Sequence, residues 1–333
     1  MLMITKRLER AFLDSCARIR WGSLRIVTPE GHVHDFGSGA PQGEMQIRDW
    51  AAVAAMAARG DIGMGESYVA GLWESPCIET LGQVAIRNMD HLDSYAYPNV
   101  WNRLKFRAVD RLFRRNSVRG AARNIRAHYD VGNEFYQLWL DDTMTYSSAI
   151  FETGQESLEK AQTAKYASMI DQMGAKPGDH ILEIGSGWGG FAEYAAQQRG
   201  MRVTGLTISQ EQLSYARERI EKAGLSDRVD FKLQDYRDEK GSYDGIASIE
   251  MFEAVGQKYW PVYFDTVRER LKPGARATLQ IITVADRRWE VYKRGVDFIQ
   301  KHIFPGGMLP CPRLLREQVD RAGLTFERSI EFG

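Results

Sequence analysis

Cysteine is scarce in this chain. Cys16, Cys77 and Cys311 are far apart and odd in number among 333 residues, which excludes a disulfide framework and a four-cysteine metal site and suits a reducing cytoplasm. Long apolar runs are also missing. No stretch of about 18 apolar residues occurs, so no helix is expected to span a bilayer. The opening MLMITKRLERAF lacks the continuous apolar segment of a signal peptide. Charge of one sign is absent overall, since 44 Lys and Arg balance 44 Asp and Glu. The whole molecule is therefore no polyelectrolyte. No internal repeat and no low-complexity tract is found. What remains is the composition of an ordinary folded protein, 44% hydrophobic and 26% charged, long enough for two domains.

The balanced total hides a local bias. Residues 102–130, NRLKFRAVDRLFRRNSVRGAARNIRAHYD, hold nine Lys or Arg against two Asp. Leu104, Ala108, Leu112 and Phe113 recur among them at helical spacing. One reading is a connecting helix with a solvated basic face. The other is a surface for anionic phospholipid, where each basic residue contributes on the order of 1 kcal/mol. Nucleic acid is not expected as a partner, because no aromatic platform or recognised nucleic-acid motif accompanies the basic run.

The chain divides into three. Residues 1–95 read as a small α+β domain, in which RWGSLRIVTPEGHVHDFG alternates around the turn PEG as a hairpin does. IRDWAAVAAMAARGDIGMGESYVAGLW follows as helical pieces parted by glycines. Residues 96–130 form the basic helical connector. From 131 to 333 helices alternate with short apolar strands, the pattern of a doubly wound α/β parallel sheet. Strands are expected at 180–185, 202–207, 228–235, 244–250 and 276–283, with a sixth at LTFERSIEF, 324–332.

The first of those strands runs into ILEIGSGWGG, residues 181–190. Its glycines fit both the dinucleotide pattern G-x-G-x-x-G and the E-x-G-x-G-x-G loop that holds S-adenosylmethionine. A glycine loop between strand and helix lets a ligand approach the backbone closely, but alone it does not choose the ligand. Three features choose. Glu183 would repel a pyrophosphate and suits the α-amino group of a sulfonium donor. The second strand ends GLTISQEQ, without the acid that a nicotinamide ribose requires. The third ends LQDYRD, placing Asp235 and Tyr236 where an adenine can be met. Glu183 also reads as a buried loop brace and Asp235 as a helix cap. Together the three favour S-adenosylmethionine over NAD.

HYDVGNEFYQLWLDDTMTYSSAIFE, LEKAQTAKYASMI, ILEIGSGWGGFAEYAA, GLTISQEQLSYARERI, LQDYRD, IEMFEAVGQKYWPVYF and FIQKHIFPGGMLPCP occur in unbroken order from His128 to Pro312. This series resembles the cyclopropane-fatty-acyl-phospholipid synthase family of methyltransferases. GMGESYVAGLWE resembles, less closely, the small leading domain of its bacterial members. The resemblance implies a Rossmann-like class I methyltransferase fold. It also implies methyl transfer from S-adenosylmethionine to the cis double bond of an unsaturated acyl chain in a phospholipid. Carried over by position, Tyr146 and Ser147 close over the donor. Gly185 and Gly187, with Glu183 nearby, take its methionine part, Thr207 and Gln212 its ribose side, and Asp235 and Tyr236 its adenine. Glu253 is the acid of the active centre. A homodimer is implied as well and no metal is; the cysteine usage and the basic run lead us to expect a cytoplasmic protein, peripheral at the inner membrane surface.

An alkene is a poor nucleophile, and its methylation leaves a carbocation, so the site needs a dry apolar channel, aromatic faces and a base. Phe135, Tyr136, Trp139, Tyr146, Phe252, Tyr259, Trp260 and Phe264 are candidate aromatics, with core packing as their ordinary role. Glu253 also reads as a helix-start acid. Two departures stand out. The family's cyclopropane-forming members read YSCA and LHTI where this chain has YSSA and LQII, so Ser148 and Gln280 replace a cysteine and a histidine. In those members the cysteine, the histidine, the acid and a later tyrosine hold a bicarbonate ion that removes the proton. Ser148 and Gln280 still donate hydrogen bonds. The expected product is a cyclopropane or a methyl- or methylene-branched chain, and the replacements motivate the branched one. The resemblance also places the tyrosine and a further helix beyond Phe332-Gly333, so the last strand and helix are expected to be missing from this chain. Two other functions remain open: methylation of a small soluble molecule, and a lipid-associated relative that binds the donor without catalysis.

Overall fold

The computed structural model describes residues 2–89 and 132–332. The basic stretch 96–130, with Arg111, Arg114 and Arg115, lies outside the described residues except at its sequence level. The described chain falls into two compact units.

In the N-terminal unit, helix α1 (Leu2–Cys16) precedes the expected hairpin of β1 (Ser23–Val27) and β2 (Val33–Gly37), antiparallel from Ser23↔Gly37 to Val27↔Val33. Alternation buries Leu24 and Ile26 while their neighbours stay partly exposed. Strand β3 (Gln42–Ile47) runs parallel to β1, and β4 (Trp73–Glu74) pairs antiparallel with β3, giving the order β2-β1-β3-β4. Helices α2 (Ala51–Arg59), α3 (Asp61–Val69) and α4 (Ile78–Arg87) complete the unit. One core unites Phe12, Ile26, Met45, Val53, Trp73 and Leu81. Arg294–His302, far along the chain, also belongs to this unit. There Phe298 N–H donates to Asp61 at 2.9 Å, and Lys301 and His302 both bond the Glu66 carboxylate. A boundary read from sequence continuity alone assigns that segment elsewhere.

The second unit is the expected α/β sheet. Strands β5 (His180–Ile184), β6 (Arg202–Thr207), β7 (Val229–Leu233), β8 (Tyr243–Ile249) and β9 (Leu271–Gln280) are all parallel, in the order β7-β6-β5-β8-β9. Short helix α5 (Asn133–Gln137) and α6 (Leu158–Met173) precede the sheet. Helices α7 (Gly190–Arg199) and α8 (Gln210–Lys222) follow β5 and β6, and α9 (Trp260–Arg270) follows β8. Two apolar clusters sandwich the sheet. Ile181, Phe191, Val203, Ala216 and Phe231 belong to one, and Leu182, Ile184, Ile246, Phe264 and Val267 to the other. Successive residues of β5 thus face opposite layers, as a strand covered on both sides requires. The order reverses on either side of β5, which opens a crevice at the carboxyl ends of the strands.

Two strand expectations need correction. Residues 324–332 form no strand, although β9 offers an open edge beside them. Their side chains are mostly exposed, and apolar–polar alternation without a buried face gives a ladder nothing to hold. Strand β9 ends at Gln280, three residues earlier than expected, because Ile282 N–H is taken by the Glu253 carboxylate. A smaller shift ends β7 at Leu233, after which Asp235 caps a one-turn 3-10 helix, Tyr236–Asp238.

Candidate functional site

The glycine loop leaves β5 with Gly185 at φ +85° and Gly187 at φ +52°, values at which a side chain is strained. Gly185 and Ser186 N–H both donate to Leu206 O, at 3.0 and 2.8 Å, which folds the loop back on β6. A Cβ on Gly185 would lie 2.8 Å from Met251 Cγ, whereas one on Gly187 would meet open space. The loop therefore presses against the segment after β8 and leaves room on its other side. Glu183 is 2% exposed, and burial pushes its carboxyl well above the usual range, the charge of Arg219 working the other way. Its Oε2 and the buried Ser186 Oγ have no hydrogen-bond partner among the described residues. Unmet oxygens of this kind beside a glycine cradle suit the ammonium and carboxylate of the donor's methionine part. The residues present fit S-adenosylmethionine.

The other donor-site candidates fall at the same carboxyl edge. Thr207 ends β6 and its hydroxyl donates to Gln212 Oε1 at 2.9 Å. Ser209, between them, caps α8 by accepting Gln212 N–H. Asp235 carries a second duty, as its two oxygens accept from Arg237 Nε and Nη2 at 2.7 and 2.6 Å. Tyr236 is buried edge-on against Tyr263, ring centres 5.4 Å apart.

A strap, residues 143–150, brings Tyr146, Ser147 and Ser148 together. Its anchor is Lys165 on α6, a residue that sequence reasoning missed. The ammonium bonds Ser147 Oγ and Ser148 O, the latter at 2.9 Å, and the side chain is fully buried. Burial lowers this amine to about 8, while the charges of Glu250 and Asp141 act to raise it. Gln162, one turn earlier, donates to Ser147 O at 2.7 Å. The signal in the sequence was a polar pair, Gln162 and Lys165, at i,i+3 on one face of an otherwise amphipathic helix.

The candidate aromatics separate into two groups. Tyr136, Trp139 and Tyr146 cluster with Trp188, and Tyr146 also stacks on Phe304 at 6.5 Å. Phe135 lies edge-on to Tyr136 and Trp139 and is exposed. Phe252, Trp260 and Phe264 are instead packed in the core below β8, each no more than 2% exposed. Tyr259 lies at that core's margin.

Glu253 sits on a 3-10 turn, Phe252–Ala254, with its carboxyl bound to Ile282 N–H. Its Oε2 is buried and has no hydrogen-bond partner among the described residues. Burial drives this carboxyl up to about 7, opposed by the Ile282 and Glu253 backbone donors and slightly aided by the charge of Glu250. That value suits proton exchange near neutrality.

Ser148 and Gln280 do meet, around a third residue that sequence reasoning overlooked. Glu250 Oε1 accepts from Ser148 N–H at 2.9 Å, Ser148 Oγ at 2.7 Å and Gln280 Nε2 at 2.7 Å. Gln280 Nε2 also reaches Ser148 Oγ at 2.9 Å. Glu250 N–H donates to Gln280 O at 3.0 Å, which fixes the backbone across the β8–β9 exit. Glu250 holds φ +45°, a left-handed value uncommon for a residue with a side chain.

Bicarbonate does not fit this arrangement. The side-chain donors of Ser148 and Gln280 are engaged by Glu250 and by Ser148 itself. The groups still unmet there, Gln280 Oε1 and Glu253 Oε2, are acceptors, and an anion needs donors. No metal-ligand cluster of three or more His, Cys, Asp or Glu occurs among the described residues. Nor, among those residues, is any helix long and apolar enough to cross a membrane.

The family model for mycolic acid cyclopropane synthetase matches residues 116–333. Tuberculostearic acid methyltransferase UfaA1 of Mycobacterium tuberculosis (strain ATCC 25618 / H37Rv) is 38% identical over 267 residues, which cover 77% of this chain and 61% of that protein. Cyclopropane-fatty-acyl-phospholipid synthase of Escherichia coli (strain K12) is 37% identical over 259 residues, 78% of this chain and 64% of the other. The chain thus spans somewhat under two thirds of the length of both relatives. Among solved structures, mycolic acid cyclopropane synthase CmaA1 complexed with SAH and CTAB superposes with a TM-score of 0.58 at 30% identity. That match covers 62% of this chain and 76% of the other. The fold is that of the class I methyltransferases.

Proposed function

The chain belongs to the mycolic acid cyclopropane synthetase family, and from that premise we propose that it methylates the cis double bond of an unsaturated acyl chain, carried on a phospholipid, with S-adenosylmethionine as donor. One observation supports this reading above the others. Gly185 of the donor loop packs on Met251, between Glu250 and Glu253, so the cradle and the two acids share one wall. A methyl acceptor held there lies within reach of a base.

When bound, S-adenosylmethionine supplies an electrophilic methyl on a sulfonium. The alkene's electron pair forms the new C–C bond, the S–C bond breaks, S-adenosylhomocysteine leaves, and the acyl chain carries a cation. The chain's own residues do the rest. Tyr146, Tyr136 and Trp188 form an aromatic wall, edged by Trp139, whose faces stabilise positive charge. Lys165 and Gln162 hold the strap that carries Tyr146. A carboxylate, acting as the base, then removes one proton. If the C–H pair closes a C–C bond the product is a cyclopropane; if, after hydride migration, it forms C=C, the product is methylene-branched. A saturated methyl branch requires a hydride from a separate reductant.

The basic segment at residues 102–130 supports attachment to an anionic lipid surface, a peripheral and cytoplasmic placement, and the homodimer remains the expectation of the resemblance. The test is incubation of the chain with trideuteromethyl donor and mixed unsaturated phospholipids, followed by mass spectrometry and NMR of the fatty acids. Two retained deuteriums are expected, in a ring methylene or an exocyclic methylene, which NMR distinguishes. Methylation of soluble amines or phenols alone would replace this reading with that of a small-molecule methyltransferase. Donor binding with no transfer to any acceptor would favour a non-catalytic relative.

A further inference from the structure

We propose that Glu250 is the built-in proton acceptor of this site, its carboxyl occupying the hydrogen-bond donors that would otherwise hold a bicarbonate ion, so that the reaction runs without bicarbonate. The inference rests on the methyl-transfer reading above and names the base within it.

The geometry carries the argument in three parts. Ser148 and Gln280 lie 132 residues apart in sequence, yet their donors converge on one oxygen, Glu250 Oε1. Donors gathered from separate elements around one point form an anion site, and here the anion is a side chain. Second, the three bonds fall on Oε1, and Oε2 accepts none among the described residues. One oxygen is fixed and the other is free to take a proton. Third, Glu250 is held at φ +45°, a left-handed backbone that is strained for a residue with a Cβ. Glycine would adopt that conformation freely. Retaining a glutamate there is explained if the carboxyl has work at the exit of β8.

In the proton step, the cation on the acyl chain loses one proton from the added methyl group, directly to close the ring or after hydride migration to form the methylene. The C–H bond breaks, its electron pair completes the ring or the double bond, and the proton passes to Glu250 Oε2. The resulting carboxylic acid returns the proton to water after product release. No oxidant or reductant enters. Glu253, on the same wall, keeps its own partner in Ile282 N–H and does not share the three donors.

The discriminating variant is Glu250→Gly, which deletes the carboxyl, keeps Ser148 and Gln280, and relieves the backbone. The full chain and the variant are prepared in carbon-dioxide-depleted buffer, and folding and donor binding are confirmed by circular dichroism and calorimetry. We expect wild-type turnover to change less than about twofold on adding bicarbonate. Turnover of Glu250→Gly should fall on the order of 100-fold and recover partly with bicarbonate, formate or acetate. Ser148→Ala, which leaves the carboxyl in place, should slow turnover without creating any bicarbonate dependence. A second readout needs no activity: ¹³C-bicarbonate NMR should detect binding to Glu250→Gly and none to wild type. Wild-type dependence on bicarbonate, equal binding of labelled bicarbonate by both proteins, or a Glu250→Gly variant as active as wild type in depleted buffer would each overturn the proposal. Should wild type methylate no lipid while the NMR contrast holds, the lipid reading fails and the assignment of the anion site to Glu250 stands.

Discussion

The Ser148 hydroxyl donates to Glu250 Oε1 at 2.7 Å although 102 residues separate the two. That bond ties the strap at residues 143–150 to the exit of β8. A double-mutant cycle with Ser148→Ala and Glu250→Gly should show it. The two changes are expected to be non-additive in kcat by about 1–2 kcal/mol of transition-state free energy. Additive effects would mean that the residues act independently.

Glu253 sets the expected pH response. Its carboxyl, at about 7 in the folded chain, lies above the ordinary value near 4.5. The proton is therefore bound more tightly in the native state. The stability it contributes is fully present below about 4.5 and is lost as the pH rises through about 7. Relative to Glu253→Gln, wild type should lose on the order of 3 kcal/mol across that window, measured by denaturant titration at several pH values.

Lys165 acts by positioning the strap. Lys165→Met keeps the aliphatic stem and removes the ammonium that bonds Ser147 and Ser148. The donor KM is expected to rise about tenfold with a smaller change in kcat, and limited proteolysis should cut near residues 146–148 faster. Unchanged KM and unchanged cleavage would show that the strap holds without its lysine.

Gly185→Ala should weaken donor binding by tenfold or more in calorimetry. The strained φ costs about 1–2 kcal/mol, and the new Cβ lies 2.8 Å from Met251 Cγ, pushing on the segment that carries both acids. Gly154→Ala is the control. It has φ +76° and no neighbour within 4 Å, so it should lower Tm and leave binding intact.

Asn88 closes the N-terminal unit. Its side chain accepts from Arg20 and Trp21 N–H and donates to Trp21 O and Val84 O, and it is fully buried. Asn88→Ala strands those backbone groups and should cost about 3 kcal/mol, read as an earlier thermal transition with donor affinity unchanged. An unaltered melting profile would contradict this role.

Sequence periodicity determined much of this molecule. Alternation around Pro29-Glu30-Gly31 gave the hairpin, and short apolar runs closed by glycine gave the parallel sheet, because both are local consequences of which side chains must leave water. The glycine loop and the sulfonium donor were legible for the same reason, and Ser148 and Gln280 stood out as departures from the family pattern. Local pattern failed where a partner decides the outcome. LTFERSIEF alternates like a strand yet stays unpaired, Phe252 and Trp260 look like channel aromatics yet fill the core, and Arg294–His302 joins the N-terminal unit. Only the tertiary structure could find Glu250. In sequence it is one acid beside another in IEMFEAVG; in space a crossing of strand ends aims three distant donors at a single oxygen. Hydrogen bonds between residues 30 and 102 positions away leave no periodic trace, since they depend on where strands stop and not on what repeats along them.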